Sequence, residues 1–414
     1  MSALRVVIIG YVWPEPNSSA AGKNMLTLLN AMREQHFDIV FMTAATDSAH
    51  KTDLAAMNIA AEPAQLNCDS FDRRIAELQP DVVIFDRYMT EEQFSWRVKE
   101  ACPDAIRILN TEDLHSLRQA RWDVVKNNLP VEQADKNTVL AQREVASILR
   151  SDLTLVISSA EYSLLTSYYQ VPDSQLLYFP LLCSGFQQAE NSNNLPGFDE
   201  RNDFVSIGNF RHAPNWDAVL QLKQHIWPQL RKRVPDARLL IYGAYPPKKA
   251  TQLHNPSQGF YVEGWAQDAQ HVVSQARVLL APLRFGAGMK GKLLQAMECG
   301  TPSVTTPVGA EGIANVSKWP GNCSPLNNEF VDAAATLYTD KSRWTAAQIS
   351  GFNCVNAFSP GKHIPNLINT IQSLAEAPQT HRAPLFMQHL LWHQTLSSTK
   401  YMSQWIAAKN QRQE

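Results

Sequence analysis

From end to end, the chain alternates between two kinds of segment. Short apolar runs rich in β-branched residues are followed by longer stretches whose apolar residues fall at helical spacing. RVVIIGYV (Arg5–Val12) opens the series, and GKNMLTLLNAMREQ follows with Met25, Leu28, Leu29 and Met32 on one side. FDIVFMTA (Phe37–Ala44), DVVIFD (Asp81–Asp86), AIRILN (Ala105–Asn110) and LTLVIS (Leu153–Ser158) continue it. Runs apolar throughout suit strands covered on both faces. Alternation with helices predicts a parallel sheet between two helical layers.

The series breaks at QQAENSNNLPGFDERND (Gln187–Asp203), a polar, Asn-rich stretch with Pro and Gly that reads as a linker. It then restarts: FVSIG (Phe204–Gly208), ARLLIYG (Ala237–Gly243), FYVEGW (Phe260–Trp265), ARVLLAPL (Ala276–Leu283) and PSVTT (Pro302–Thr306). A chain of 414 residues exceeds one ordinary core. Two α/β domains are therefore expected, at residues 1–186 and 204–360, joined by a linker at 187–203. A helical tail, 361–414, includes LFMQHLLWHQTL (Leu385–Leu396) with one apolar side. Sheets of this kind bind ligands at the carboxyl ends of their strands, so two facing domains would form a cleft there.

The formal net charge of −2 gives no basic field of the kind nucleic acid attracts. The six cysteines are scattered without a CxxC pair, which argues against a zinc site or a disulfide framework and fits a reducing compartment. No secretory signal is visible, and no run of 18 apolar residues exists. The expectation is a cytoplasmic protein, touching at most the inner face of a membrane.

One stretch carries the chemistry. In GAGMKGKLLQAMECGTPSVTT (Gly286–Thr306), three glycines and two lysines lead from a strand into a short helix with Leu293, Leu294 and Met297 on its buried side. A glycine loop at a helix N-terminus offers free N–H groups and the positive end of a dipole, which suits phosphate. Lys290 and Lys292 would add charge beside that anion. A tight turn with solvated lysines is the plainer alternative, but cations at that end of a helix are unfavourable without a counter-charge. The loop SIGNFRHAPNWDAV (Ser206–Val219) places Arg211 after the first strand of the second domain. Together the two loops suit a diphosphate.

These residues resemble a known family. The segment from Phe204 to Ile313 is similar to the nucleotide-sugar-binding half of GT-B glycosyltransferases of family 4 (glycosyl transferases group 1). Within them it resembles the subgroup with P-L-R-x-G-A-G-x-K-x-K followed by G-x-P-V-V-T-T-x-x-G-A-E-G. More loosely, YVWPEPNSSAAGKNMLTLL resembles that family's glycine loop after the first strand, with Gly22 retained. LNTEDLHSLRQAR (Leu109–Arg121) and VISSAEYSLL (Val156–Leu165) resemble its D-x-x-D-L-H-x-x-R and V-S-x-x-E segments. The resemblance implies two Rossmann-like domains facing across a cleft, with the C-terminal helices packed back on the first. It implies transfer of a sugar, with retention and without metal or other cofactor, from a UDP- or GDP-type donor to a glycan, lipid-linked or other acceptor. His115, Asp113, Arg211 and Lys290 are the implied catalytic residues. Gly22, Gly208, Asn209, Gly243, Trp265, Gly286, Ala287, Gly288, Met289, Lys292, Gln295 and Glu311 are the implied donor site.

Two positions depart from the wider family, whose paired glutamates around the glycine loop fall here on Ala287 and Gln295. Gln295 can still accept a hydrogen bond from a ribose, but without the charge. Asp113 and His115 are expected to continue a strand and point to one side, with Glu112 facing elsewhere. Glu311 is expected near the donor sugar or as an N-cap. Trp265 is expected in the core or against a base. A GT-B nucleotide-sugar epimerase and a catalytically weak binding or scaffold protein are the alternatives.

Overall fold

The computed structural model describes residues 3–48, 50–183, 195–394 and 396–411. The apolar runs form two parallel sheets, each covered by helices on both faces. The first has the order β3-β2-β1-β4-β5-β6-β7. Its strands are β1 (Arg5–Gly10), β2 (Asp38–Thr43), β3 (Ala60–Pro63), β4 (Val82–Asp86), β5 (Ile106–Asn110), β6 (Leu153–Val156) and β7 (Leu176–Tyr178). The second has the order β10-β9-β8-β11-β12-β13. Its strands are β8 (Asn202–Ile207), β9 (Leu239–Tyr242), β10 (Phe260–Gly264), β11 (Ala276–Ala281), β12 (Ser303–Thr305) and β13 (Gly321–Cys323). In register, Val6–Ile9 lie beside Val82–Phe85, and Val278 and Leu279 beside Phe204 and Val205. Strand order reverses between β1 and β4 and between β8 and β11, which is where such sheets open a crevice for ligands.

The edge strands β3, β7 and β13 are absent from the sequence reading. Each is three or four residues long, and none is an apolar run buried on both faces. The expected linker differs as well. Of its residues, 187–194 lie outside those described. Arg201 is already in the second core, wholly buried, and its guanidinium donates to Pro196 O, Cys299 O and Thr301 Oγ1.

The helices that matter for the site are α1 (Ala20–Glu34), α2 (Asp69–Leu78), α3 (Tyr88–Ala101), α4 (His115–Lys126), α5 (Val139–Arg150), α6 (Ser159–Ser167), α7 (Ala213–Gln221) and α8 (Gly291–Glu298). The tail returns to the first domain. In α9 (Pro360–Glu376), Leu367, Ile368, Ile371 and Leu374 join the core formed by Val6, Ile8, Leu28 and Leu29. Beyond it, Arg382 makes two bonds to the wholly buried Asp152, at 2.9 and 2.7 Å, and Trp392 donates to Arg150 O at 3.0 Å. The two domains share one apolar cluster, in which Ile157, Leu181 and Cys183 meet Met289, Leu293 and Ala310. No helix among the described residues is long and apolar enough to cross a membrane.

Candidate active site

The glycine loop leaves the buried strand β11 and ends in α8, held by Leu293, Leu294, Ala296 and Met297. It places two lysines at the carboxyl edge of the second sheet. The Lys290 side chain is 8% exposed; its Nζ donates to Gly288 O at 3.0 Å and stands 4.0 Å from Glu311. Lys292 Nζ donates to Asn215 Oδ1 at 2.7 Å. Burial pushes both ammonium groups down to about 8. The strand ends around them are close-packed. A Cβ at Gly208 would lie 2.7 Å from Lys292 Nζ, and one at Gly243 would lie 2.0 Å from Gly208 O.

The glycines of the loop itself answer to the other domain. Gly288 has φ +62°, and a Cβ there would come within 2.7 Å of Asp113 Cβ. Its N–H donates to Glu161 Oε1 at 2.8 Å, and Gly286 O accepts from Arg121 at 2.8 Å. Ala287 is buried in the first domain's core, and Met289 in the shared cluster. The backbone that the sequence offered to phosphate is thus partly occupied by domain contact. The N–H groups of Gly291 and Lys292, at the start of α8, make no hydrogen bond among the described residues.

Across the cleft stands the start of α4. The strand expected through Asp113 and His115 ends at Asn110, because Glu112 adopts φ +60° and turns the chain. Asp113 is therefore in a loop and His115 is the first residue of the helix. The two still meet, with His115 Nε2 3.4 Å from Asp113 Oδ1, and Arg118 also binds Asp113. Burial opposes the Asp113 carboxylate, but Arg118, His115 and His212 outweigh it and hold it well below the usual range. Burial pushes the His115 imidazole down to about 4 against the pull of Asp113, so it is neutral at pH 7. Glu144 fixes the helix start by accepting from the N–H groups of His115 and Ser116, each at 2.9 Å. Glu112 does face away, taking amide hydrogens from Asn24 and Asn110 at 3.1 and 2.8 Å.

Glu311 is not an N-cap. Both its oxygens bind Arg121, at 2.6 and 2.8 Å, so it ties the cleft together beside Lys290. Trp265 is not in the core. It is 39% exposed and stacks on His50 of the first domain at 4.7 Å. Arg211 does not join the lysines. It is exposed, with its guanidinium 3.6 Å over the Tyr245 ring, and Tyr245 in turn binds Glu15. Asn209 Nδ2 reaches Ser18 O across the cleft at 3.5 Å. Gly22 is not in a loop. It sits in the first turn of α1, where a Cβ would lie 2.3 Å from Glu15 O. Gln295 is half-buried on α8, one turn beyond Lys292.

Sequence reasoning missed Arg121, Glu161 and His212. Arg121 follows His115 by six residues on the same helix; it ends the quoted segment, but the motif's own arginine falls on Arg118. His212 follows Arg211 directly and lies close enough to Asp113 to help hold it ionised. Its imidazole is held below its ordinary value, first by the walls of the cleft and then by Arg118. Two concavities in the second domain lie elsewhere. One, of about 420 Å³, is at the amino ends of β8 and β9 beside Asp203 and Val234. The other, of about 660 Å³, runs past Trp319 and Asp332. Neither contains a residue of the cleft. No three His, Cys, Asp or Glu side chains among the described residues gather as a metal site would need.

Two Rossmann-like domains facing across a cleft, with the tail returned to the first, define the GT-B fold. Residues 201–340, about a third of the chain, match the family model for glycosyl transferases group 1. No curated protein sequence matches the chain. Solved structures do. A sucrose-phosphate synthase from Thermosynechococcus elongatus superposes with a TM-score of 0.67 at 16% identity, over 90% of this chain and 100% of that one. The pneumococcal O-GlcNAc transferase GtfA, solved with UDP and GlcNAc, gives 0.66 at 9% identity, over 90% and 99%. HepE from Anabaena, solved with UDP and glucose, gives 0.62 at 14% identity, over 90% and 100%.

Proposed function

We propose that the protein is a retaining glycosyltransferase that takes a sugar from a nucleoside-diphosphate sugar on its second domain and gives it to an acceptor on its first. The observation that carries this reading is the pair of lysines at the helix start, Lys290 buried and Lys292 half-buried. Lys292 faces an amide, and the nearest carboxylate to Lys290 stands 4.0 Å off, already bridged to Arg121. A cation taken this far out of water with so little counter-charge is costly, most of all at Lys290, and a diphosphate would offset that cost. The match to group 1 glycosyl transferases and the UDP in two structures of the same fold support the same ligand class.

In this mechanism the bond from the anomeric carbon to the diphosphate breaks while positive charge grows on the sugar. Lys290, Lys292 and the free N–H groups of α8 stabilise the departing oxygens, in the place a metal would take. Arg211 adds charge at the mouth of the cleft. The acceptor hydroxyl, from a glycan or lipid-linked sugar, attacks from the side the diphosphate leaves and gives its proton to the departing diphosphate oxygen. Neutral His115 offers a hydrogen bond to the sugar, and ionised Asp113 orients its ring. Gly208, Gly243 and Gln295 shape the nucleotide side of the pocket.

Release of UDP or GDP from a panel of donor sugars, with and without glycan acceptors, tests the reading. Acceptor-dependent release is expected, cut by ~10²-fold or more in Lys290→Ala, as for a lost transition-state contact. No release from any donor would assign the site to binding alone. Sugar isomerisation without acceptor would assign it to an epimerase.

A further inference from the structure

The tail leaves an apolar face open. Helices α10 (Phe386–Gln394) and α11 (Leu396–Gln411) cover the outer helices of the first domain, α10 on α5 and α11 on α3, and α3 and α5 lie side by side. Their inner faces are spent. Leu385 and Gln388 are buried beneath α10, and Ser403 and Ala407 beneath α11, where Ser403 bonds Arg97 and Asn67. The opposite faces carry Phe386 at 72% exposure, Met387 and Leu390, then Tyr401 at 66%, Met402 and Trp405 at 60%. Both helices rest on the same layer and touch each other, so the six exposed side chains lie on the solvent side of one helix pair.

We infer that this surface is the contact with a second copy of the chain, packed about a two-fold axis. Three observations favour that partner. The first is area. At about 200 Å² for a fully open side chain of this size, the six leave roughly 600–700 Å² uncovered, above what monomers usually expose and close to the about 800 Å² per partner of a standard interface. The second is composition. Aromatic residues and methionine with few charges are what the centre of a homodimer interface contains. Residues 377–411 hold no Asp or Glu, Lys400 is already paired with Glu100, and the other lysine of these two helices, Lys409, lies over the Trp405 ring at 5.5 Å. The third is charge, which argues against an anionic membrane, since such surfaces attract polybasic segments. A two-fold contact asks only that one patch fit itself, and a helix pair laid against its copy does so.

Sedimentation velocity on the full chain, from low to tens of micromolar, tests this. A dimer is expected. The double variant Tyr401→Ser, Trp405→Ser should raise its dissociation constant about tenfold or more, as for loss of central aromatic anchors. Phe386→Ser on the other helix should act the same way. All three residues face outward, so circular dichroism and melting temperature should stay unchanged. A wild-type chain that is monomeric throughout, or variants that dimerise as tightly as the parent, would overturn the assignment. So would a monomer that pellets with phosphatidylcholine–phosphatidylglycerol vesicles and stops doing so in the Trp405 variant, because the face would then belong to a lipid surface.

Discussion

His115 shows how one residue is fitted to the cleft by its neighbours. Burial lowers its affinity for a proton, Asp113 keeps its ring oriented, and Tyr88 meets it edge-on at 5.8 Å. An imidazole pushed down to about 4 stays neutral across the working range, so in the proposed mechanism it would exchange hydrogen bonds with a sugar without adding charge. Its removal strands no carboxylate, because Asp113 keeps Arg118. His115→Ala should therefore lower transfer by ~10- to 100-fold while UDP or GDP affinity and melting temperature stay near those of the parent. In the proposed mechanism binding is held by Lys290 and Lys292 on the other domain, so calorimetry and thermal melting on this one variant separate the roles. A protein that melts several degrees lower yet transfers normally per folded molecule would leave His115 only a structural part.

The glycine loop and α4 act as a pair of elements, and Gly288 is where they touch. Its φ of +62° already favours glycine, and an added methyl would press on Asp113. Gly288→Ala should cost ~1–3 kcal/mol, weaken the bond from Gly288 N–H to Glu161, and speed hydrogen exchange at residues 286–290. Unchanged exchange there would mean the loop does not depend on this contact. The same place marks how far sequence reading reaches. Strands such as β1, β4 and β11 were legible because burial on both faces writes an unbroken apolar run. The glycine loop and α8 were legible because glycine, lysine and helical spacing are local signals. What the loop touches was not. Gly288 approaches Asp113 and Arg121 approaches Glu311 across more than 160 residues of chain. Trp265, half open and stacked on a histidine of the other domain, has no local mark that sets it apart from a core tryptophan.

At the scale of the molecule, buried carboxyl groups gather around the cleft, and one of them, Glu161, joins the two domains. Glu161 Oε1 accepts from Leu114 N and Gly288 N, at 2.9 and 2.8 Å, so one oxygen spans the cleft, while Oε2 is buried without a partner. Burial, with Asp113 close by, pushes this group up to about 8; burial likewise pushes Glu112 up to about 8 and Glu144 to about 7. In the unfolded chain each has an ordinary value of 4.5. Between these limits the folded protein binds more protons than the unfolded one, so stability falls as pH rises. His115, with a depressed value, works the other way, but only below its unfolded value of 6.5. Lys290 and Lys292 also work the other way, but only above about 8. The window from about 6.5 to 8 thus belongs mainly to the carboxyl groups. The melting temperature should drop across it and level off or recover beyond. Glu161→Gln keeps an oxygen for both N–H donors and has nothing to titrate, so its melting temperature should fall less steeply between the same limits. A wild-type curve that is flat or rising over this window would contradict the argument, and an equal slope in Glu161→Gln would remove Glu161 from it.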